Sequence, residues 1–361
     1  MFGIIKIFLC LLPTIVFPFS TSSTRLFSIV SAQRQPQPLM LPIPMMSVLP
    51  PLKMHIQNES YTLNSNIPDK FHSYVQITRI NKNFVPTTVL ILLSGCIGNS
   101  QWKQWFFTKR FVSIFMMVHL ITSASMVIND IFDLRIDRIN NPMRPLASGK
   151  ISLREAATLF IGLSGICMYI GRQIPTRLHP YWVSSLVLVT AYTPIFKQIT
   201  FLKNVVCAGI VTLTVPFVGL STAPPLSTLK TLPWMLFFMN ILFVHSFCNE
   251  ILLDMLDIEG DALCGIPTLP VILGKYRVLR FLMTGLYGNA LMVGLSVLFT
   301  RNYKRMGMML STLVITYHQL LSHMRDILQS YFSEKTIRHT ISSSTQSMVF
   351  CFIMYILYSV G

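Results

Sequence analysis

The chain is 361 residues long, 52% hydrophobic and 12% charged. An average soluble domain carries about 25% charged residues, so polar side chains here are too scarce to coat a globular surface of this size, and a soluble cytosolic enzyme is excluded. The 29 Lys and Arg against 13 Asp and Glu give a formal charge of +16, but the bases are scattered between apolar runs, as in loops flanking a bilayer, which excludes nucleic-acid binding.

Residues 1–35 carry one early base, Lys6, an apolar stretch from Ile7 to Phe19, then Ser/Thr, two arginines and the small pair Ser31-Ala32. That outline predicts a targeting segment rather than an extra membrane helix, because the apolar core is short and holds Pro13 and Pro18. Residues 36–74 follow as a predicted flexible tail, rich in proline, with a glycosylation sequon at Asn58-Glu59-Ser60. The seven cysteines contain no C-x-x-C pair and mostly lie in apolar runs, so they read as small hydrophobes rather than disulfides or zinc ligands.

From there on, apolar runs recur at the spacing of a roughly 20-residue membrane helix plus a loop. Their cores fall at 84–99, 111–129, 155–171, 180–196, 204–221, 233–249, 278–300, 305–322 and 345–360. The prediction is an all-α integral membrane protein, a nine-transmembrane-helix bundle around a central cavity, occupying 75–361. Loops after the second, fourth, sixth and eighth spans hold more Lys and Arg than the opposite loops, which puts them and the N-terminal tail on the cytoplasm-equivalent side. Lys203 and Arg154 read as ordinary markers of that topology.

Eight of the thirteen acids fall in two short windows, 130–137 and 250–261, each at the end of a predicted membrane helix. Charged groups near a membrane helix are costly and usually face the bundle interior. Asn129, Asp133 and Asp137 are spaced i, i+4, i+8, with Asp130 three before Asp133; Glu250, Asp254, Asp257 and Asp261 are spaced four, three and four. On helices each set forms one oxygen-lined face. Stacked like charges need a compensating cation, and all-oxygen sites with room for water suit Mg²⁺. Two such stripes across a cavity can hold Mg²⁺ ions and, through them, a diphosphate. Arg144, Lys197, Arg79 and Lys82 supply bases on the same side. His119 and His245, earlier on the two acid-bearing helices, read as hydrogen-bonded bundle histidines.

These residues resemble the UbiA superfamily of intramembrane prenyltransferases. The first acidic motif resembles Asn129, Asp133 and Asp137 with the loop carrying Asn141, Arg144, Pro145, Ser148 and Gly149. The second resembles Asp254, Asp257, Glu259, Gly260 and Asp261, continuing through Thr268-Leu269-Pro270-Val271 to Gly274-Lys275, and a family Tyr and Lys look like Tyr192 and Lys197. The resemblance implies a Mg²⁺-dependent transfer of a prenyl group from a prenyl diphosphate to a hydrophobic acceptor, lipophilic or ring-bearing, inside the bilayer. Asp133, Asp137, Asp257 and Asp261 would be the catalytic carboxylates. They would hold Mg²⁺ with Asn129, supported by Asp130 and Asp254, while Arg144, Lys197 and Tyr192 would bind the prenyl diphosphate.

The form of the two motifs is closer to members acting on glyceryl ethers, chlorophyllide or homogentisate than to 4-hydroxybenzoate transferases. Leu253 departs from the pattern, since relatives often carry a base there. The alternative on the same scaffold is a terpene cyclase, which closes the prenyl diphosphate on its own double bonds without an acceptor. An ion transporter would place its acids near the bilayer midplane, and both stripes lie at helix ends. The N-terminal segment leads to the expectation of a plastid membrane of a eukaryote, with the mitochondrial and endoplasmic reticulum membranes as alternatives.

Overall fold

A computed structural model describes residues 67–98, 104–105, 108–222, 228–299 and 303–360. The targeting segment, most of the expected tail and its sequon lie outside the described residues. Helices make up the fold: α1 (Ile67–Thr78), α2 (Ile80–Gly98), α3 (Lys109–Phe132), α4 (Leu134–Asn140), α5 (Leu153–Gly171), α6 (His179–Ile195), α7 (Leu202–Thr212), α8 (Thr214–Thr222), α9 (Thr228–Leu256), α10 (Ile258–Leu263), α11 (Leu269–Leu273), α12 (Lys275–Leu298), α13 (Tyr303–Gln329) and α14 (Glu334–Val360).

Each predicted apolar run coincides with a helix, with two differences of form. The run at 204–221 is broken at Leu213 into α7 and α8. Pro216 explains the break: it has no N–H to give the carbonyl of Thr212 and its ring crowds that carbonyl. The second difference concerns length and polarity. Seven segments among the described residues are long and apolar enough to cross a membrane: α2, α3, α5, α7 with α8, α9, α12 and α14. Of the other two, α6 has only 17 residues, and α13 carries His318, His323, Arg325 and Asp326 in its second half.

Helix α1 corrects the predicted tail, whose expected flexible stretch extends to residue 74. Asp69 stands in its first turn, where a negative charge offsets the orphan N–H groups of the helix start. Tyr74 and Ile77 pack with Val127, Leu146 and Ile151, and Lys70 reaches Glu155 at 2.6 Å. Glu155 is already fixed, because Ser152 and Glu155 form a reciprocal capping box that starts α5.

Two larger apolar clusters hold the rest. One joins α2, α9, α12, α13 and α14 through residues such as Leu93, Phe238, Leu282 and Phe352; the other joins α2, α3, α5, α6 and α8 through Ile91, Ile114, Cys167 and Phe217. Where α2 meets α8, a Cβ on Gly98 would run into the backbone of Gly219, so the small residue sets the closeness of that pair. Ile161, Leu291 and Phe299 are exposed on the outside, as expected of a surface that meets lipid.

Candidate active site

Both acidic windows use the same local device. The first long helix, α3, stops at Phe132; Asp133 forms the joint, and the short α4 begins at Leu134. The second, α9, stops at Leu256, Asp257 forms the joint, and α10 begins at Ile258. The backbone hydrogen bonds still run four residues back across each joint: Asp133 N to Asn129 O at 2.9 Å, Asp137 N to Asp133 O at 2.8 Å, Asp257 N to Leu253 O at 3.1 Å, and Asp261 N to Asp257 O at 3.0 Å. The helical hydrogen-bond spacing therefore survives each joint, and each acidic stripe keeps one face.

Those faces meet in a cavity of about 430 Å³. Its lining includes Asn129, Asp133, Asp137, Arg144, Tyr192, Lys197, Asp254, Asp257 and Asp261, together with Arg79, Lys203 and Glu250. Of the residues read from the sequence as site residues or nearby bases, Asp130 and Lys82 are not in the lining: Asp130 is buried behind it and Lys82 is exposed. Leu90, Val118, Ile121, Trp182, Val189 and Phe217 add apolar surface, interspersed with uncharged polar groups such as Thr87, Ser125 and Ser185. His119 and His245 are outside the lining. His119 lies stacked on Phe84 and within 3.3 Å of Thr88 Oγ1, and His245 is 3.1 Å from Asn249, as bundle histidines with partners.

Bases meet the acids one by one. Arg144 donates to Asp137 at 2.6 Å and lies 3.4 Å from Asp130. Arg79 donates to Asp130 at 2.7 Å, and Lys197 donates to Asp133. Arg79 reaches the site from the break between α1 and α2, where its own φ is 50°, a left-handed turn unusual for a side chain with a Cβ. Lys203 corrects its reading as a topology marker: it is buried and donates to Asp254 Oδ1 at 2.6 Å, while Asn204 donates to Oδ2 at 2.9 Å. Both oxygens of Asp254 are thus engaged. Arg154 is exposed in the first turn of α5, as a topology marker would be.

Asp257 and Asp261 have no ion pair among the described residues within 4.0 Å. Burial pushes both carboxyls above the usual range, Asp261 to about 6 despite the attraction of Lys203. Asp137 also rises to about 6, because burial outweighs the attraction and hydrogen bond of Arg144. Each of the three favours any partner that restores a positive charge nearby.

The donor set fits a hard divalent cation shared with a bound anion. All donors are carboxylate or amide oxygens, which suit Mg²⁺. Among the described residues no three carboxylates stand close enough to hold an ion by themselves; a bound phosphate would add oxygens to those of one or two carboxylates. That is the usual arrangement for Mg²⁺, which takes one or two carboxylates plus substrate phosphates.

Residues 85–333 match the UbiA prenyltransferase family, well over half of the chain, and the chain belongs to that family. It is a multi-pass membrane protein and an enzyme, a prenyltransferase. Among its relatives it is 29% identical over 205 residues to the digeranylgeranylglyceryl phosphate synthase of Sulfolobus acidocaldarius, covering 56% of this chain and 70% of that one. It is 31% identical over 219 residues to the synthase of the same name from Saccharolobus solfataricus, covering 58% and 73%. Its fold is similar to that of a digeranylgeranylglyceryl phosphate synthase structure, with TM-score 0.59, 21% identity and coverage of 80% of this chain and 99% of that one. It is also similar to a UbiA homolog from Archaeoglobus fulgidus bound to GPP and Mg²⁺, with TM-score 0.56, 17% identity and coverage of 79% and 99%.

Proposed function

We propose that this protein transfers a prenyl group from a polyprenyl diphosphate, held with Mg²⁺ between the two acidic segments, to a lipophilic acceptor of the glyceryl-ether type. One observation carries the reading: two carboxylate stripes and the bases Arg79, Arg144, Lys197 and Lys203 line one cavity together with apolar side chains such as Leu90, Val118, Ile121, Val189 and Phe217. A diphosphate with a long hydrocarbon chain has the same two kinds of surface. The glyceryl-ether acceptor is supported by the names of the archaeal relatives and by the form of the motifs.

In this mechanism Asn129, Asp133, Asp137, Asp257 and Asp261 would hold the metal, supported by Asp130 from behind the lining and by Asp254 within it. Bound Mg²⁺ would neutralise charge that grows on the departing diphosphate. Arg144 and Lys197 turn from their carboxylates to the diphosphate oxygens, so two pairs within the protein are exchanged for contacts to substrate. They stabilise the leaving group as the allylic C–O bond breaks. Tyr192, in the same lining, orients the head group. Trp182, Phe217 and Val189 exclude water from the allylic carbocation. The acceptor hydroxyl oxygen then bonds to the allylic carbon, and its proton passes to the released diphosphate.

The nine-span topology belongs to this reading as well: α6 and α13 would cross the bilayer alongside the seven longer or more apolar segments. The archaeal relatives lend no support to a plastid location, and nothing in them or in the cavity favours cyclisation. The test is to incubate purified protein in lipid with a labelled prenyl diphosphate and one acceptor at a time. A prenylated glyceryl ether is the expected product; a prenylated aromatic ring instead would reassign the acceptor, and a cyclic hydrocarbon formed without acceptor would replace the reading.

A further inference from the structure

Helix α10 is only six residues long, and it begins directly after a residue proposed to hold metal. The first N–H groups of any helix lack intrahelical acceptors and are normally met by the side chain of the residue that precedes the helix. Asp is among the best residues for that task, and Asp257 occupies the position, yet its side chain makes no capping hydrogen bond. The N–H of Gly260, in the first turn, instead donates to Oδ1 of Asn140 at 3.1 Å. The same amide donates through Nδ2 to the backbone carbonyl of Asp257 at 3.2 Å. Asn140 is the last residue of α4, so one side chain grips both ends of the first turn of α10 from the other acidic segment.

The fit is close on the far side too. A Cβ added to Gly260 would lie 2.5 Å from both the Nδ2 and the Oδ1 of Asn140, with no nearer neighbour. Gly260 is helical and buried, so its missing side chain is explained by this contact rather than by backbone conformation.

We propose that Asn140 is a positioning residue that caps α10 from α4, releasing the Asp257 carboxylate from capping duty so that it faces the cavity, and fixing the spacing between the two acidic segments. This rests on the proposed metal-dependent transfer for its catalytic consequence, and on hydrogen bonds alone for its structural one. Groups that orient metal ligands from behind typically alter metal affinity or activity about 10- to 100-fold when removed. A residue with a merely stabilising role would not shift the metal requirement.

The experiment is a double-mutant cycle on the full-length protein in lipid, with Asn140→Ala, Gly260→Ala and both together. Two quantities are read: the Mg²⁺ concentration for half-maximal turnover, and amide hydrogen exchange across residues 257–264 without metal or substrate. Each single variant should raise the Mg²⁺ requirement about 10-fold and lose protection in that segment. The double variant should be no worse than Asn140→Ala, because the methyl group added at position 260 then meets no amide and the two changes remove one shared contact. An unchanged Mg²⁺ requirement in Asn140→Ala, or losses that multiply in the double variant, would overturn the proposal. If the wild-type protein turned over without Mg²⁺, the functional reading would fail, and the exchange measurement would still decide whether Asn140 caps α10: unchanged protection in Asn140→Ala refutes the clasp.

Discussion

Asp133 and Asp257 each mark the joint between a long helix and a short one, and the local geometry of the site follows from those two positions. Both are proposed metal ligands. Asp133→Ala and Asp257→Ala should each lower turnover by at least about 100-fold; the thermal transition in detergent should stay close to that of the parent in Asp257→Ala and fall in Asp133→Ala, which strands the charge of Lys197, and near-normal rates in either would show that other carboxylates do the work. The bases divide differently. Arg144→Gln and Lys197→Gln should raise the KM for prenyl diphosphate and lower kcat, since charge on the leaving group grows toward the transition state. Arg154→Gln, altering an exposed side chain away from the cavity, should change neither, and steady-state kinetics of the three variants side by side checks the contrast. At this scale the sequence was informative because the acids are scarce: with few charges in an apolar chain, a spacing of four and three residues stands out. It could not show that Asp254 has both oxygens engaged by Lys203 and Asn204, a fact of packing between distant segments.

At the scale of elements, the tie between α7 and α9 is the part least readable beforehand. Lys203 lies 51 residues from Asp254, and by position alone it is one more base in a loop beside the membrane. Its burial arises only because α7 folds against the end of α9, where a lone Lys or Asp would be an unpaired charge out of water. Removing one partner of such a buried pair typically costs about 3–5 kcal/mol. Lys203→Ala should therefore lower the thermal stability of the protein markedly, and Lys203→Ala with Asp254→Ala should recover part of the loss; equal stability of Lys203→Ala and the parent would show that the pair carries no structural weight. Helix positions themselves were legible from apolar runs and length. The break before Pro216 needed the chemistry of proline in a packed context, and α1 was missed because the proline-rich composition before it masked a short amphipathic segment whose Tyr74 and Ile77 pack on α3 and α5. Arg79 owes its place in the site to the left-handed turn between α1 and α2, which no residue type there announces.

For the whole molecule, the proposed function has a bundle of membrane helices gather two distant acidic segments around one cavity and use them, through a divalent cation, to let a diphosphate leave. The apolar exterior and polar pocket are two consequences of the same composition: scarce charges are placed where a charged ligand must be held. The most direct measurement is turnover of a labelled prenyl diphosphate by the purified protein in lipid vesicles, with a glyceryl-ether acceptor, after EDTA treatment and again after Mg²⁺ is restored. Under the metal-dependent mechanism, EDTA abolishes release of diphosphate and formation of the prenylated product together, and Mg²⁺ restores both. Full turnover in EDTA would contradict it.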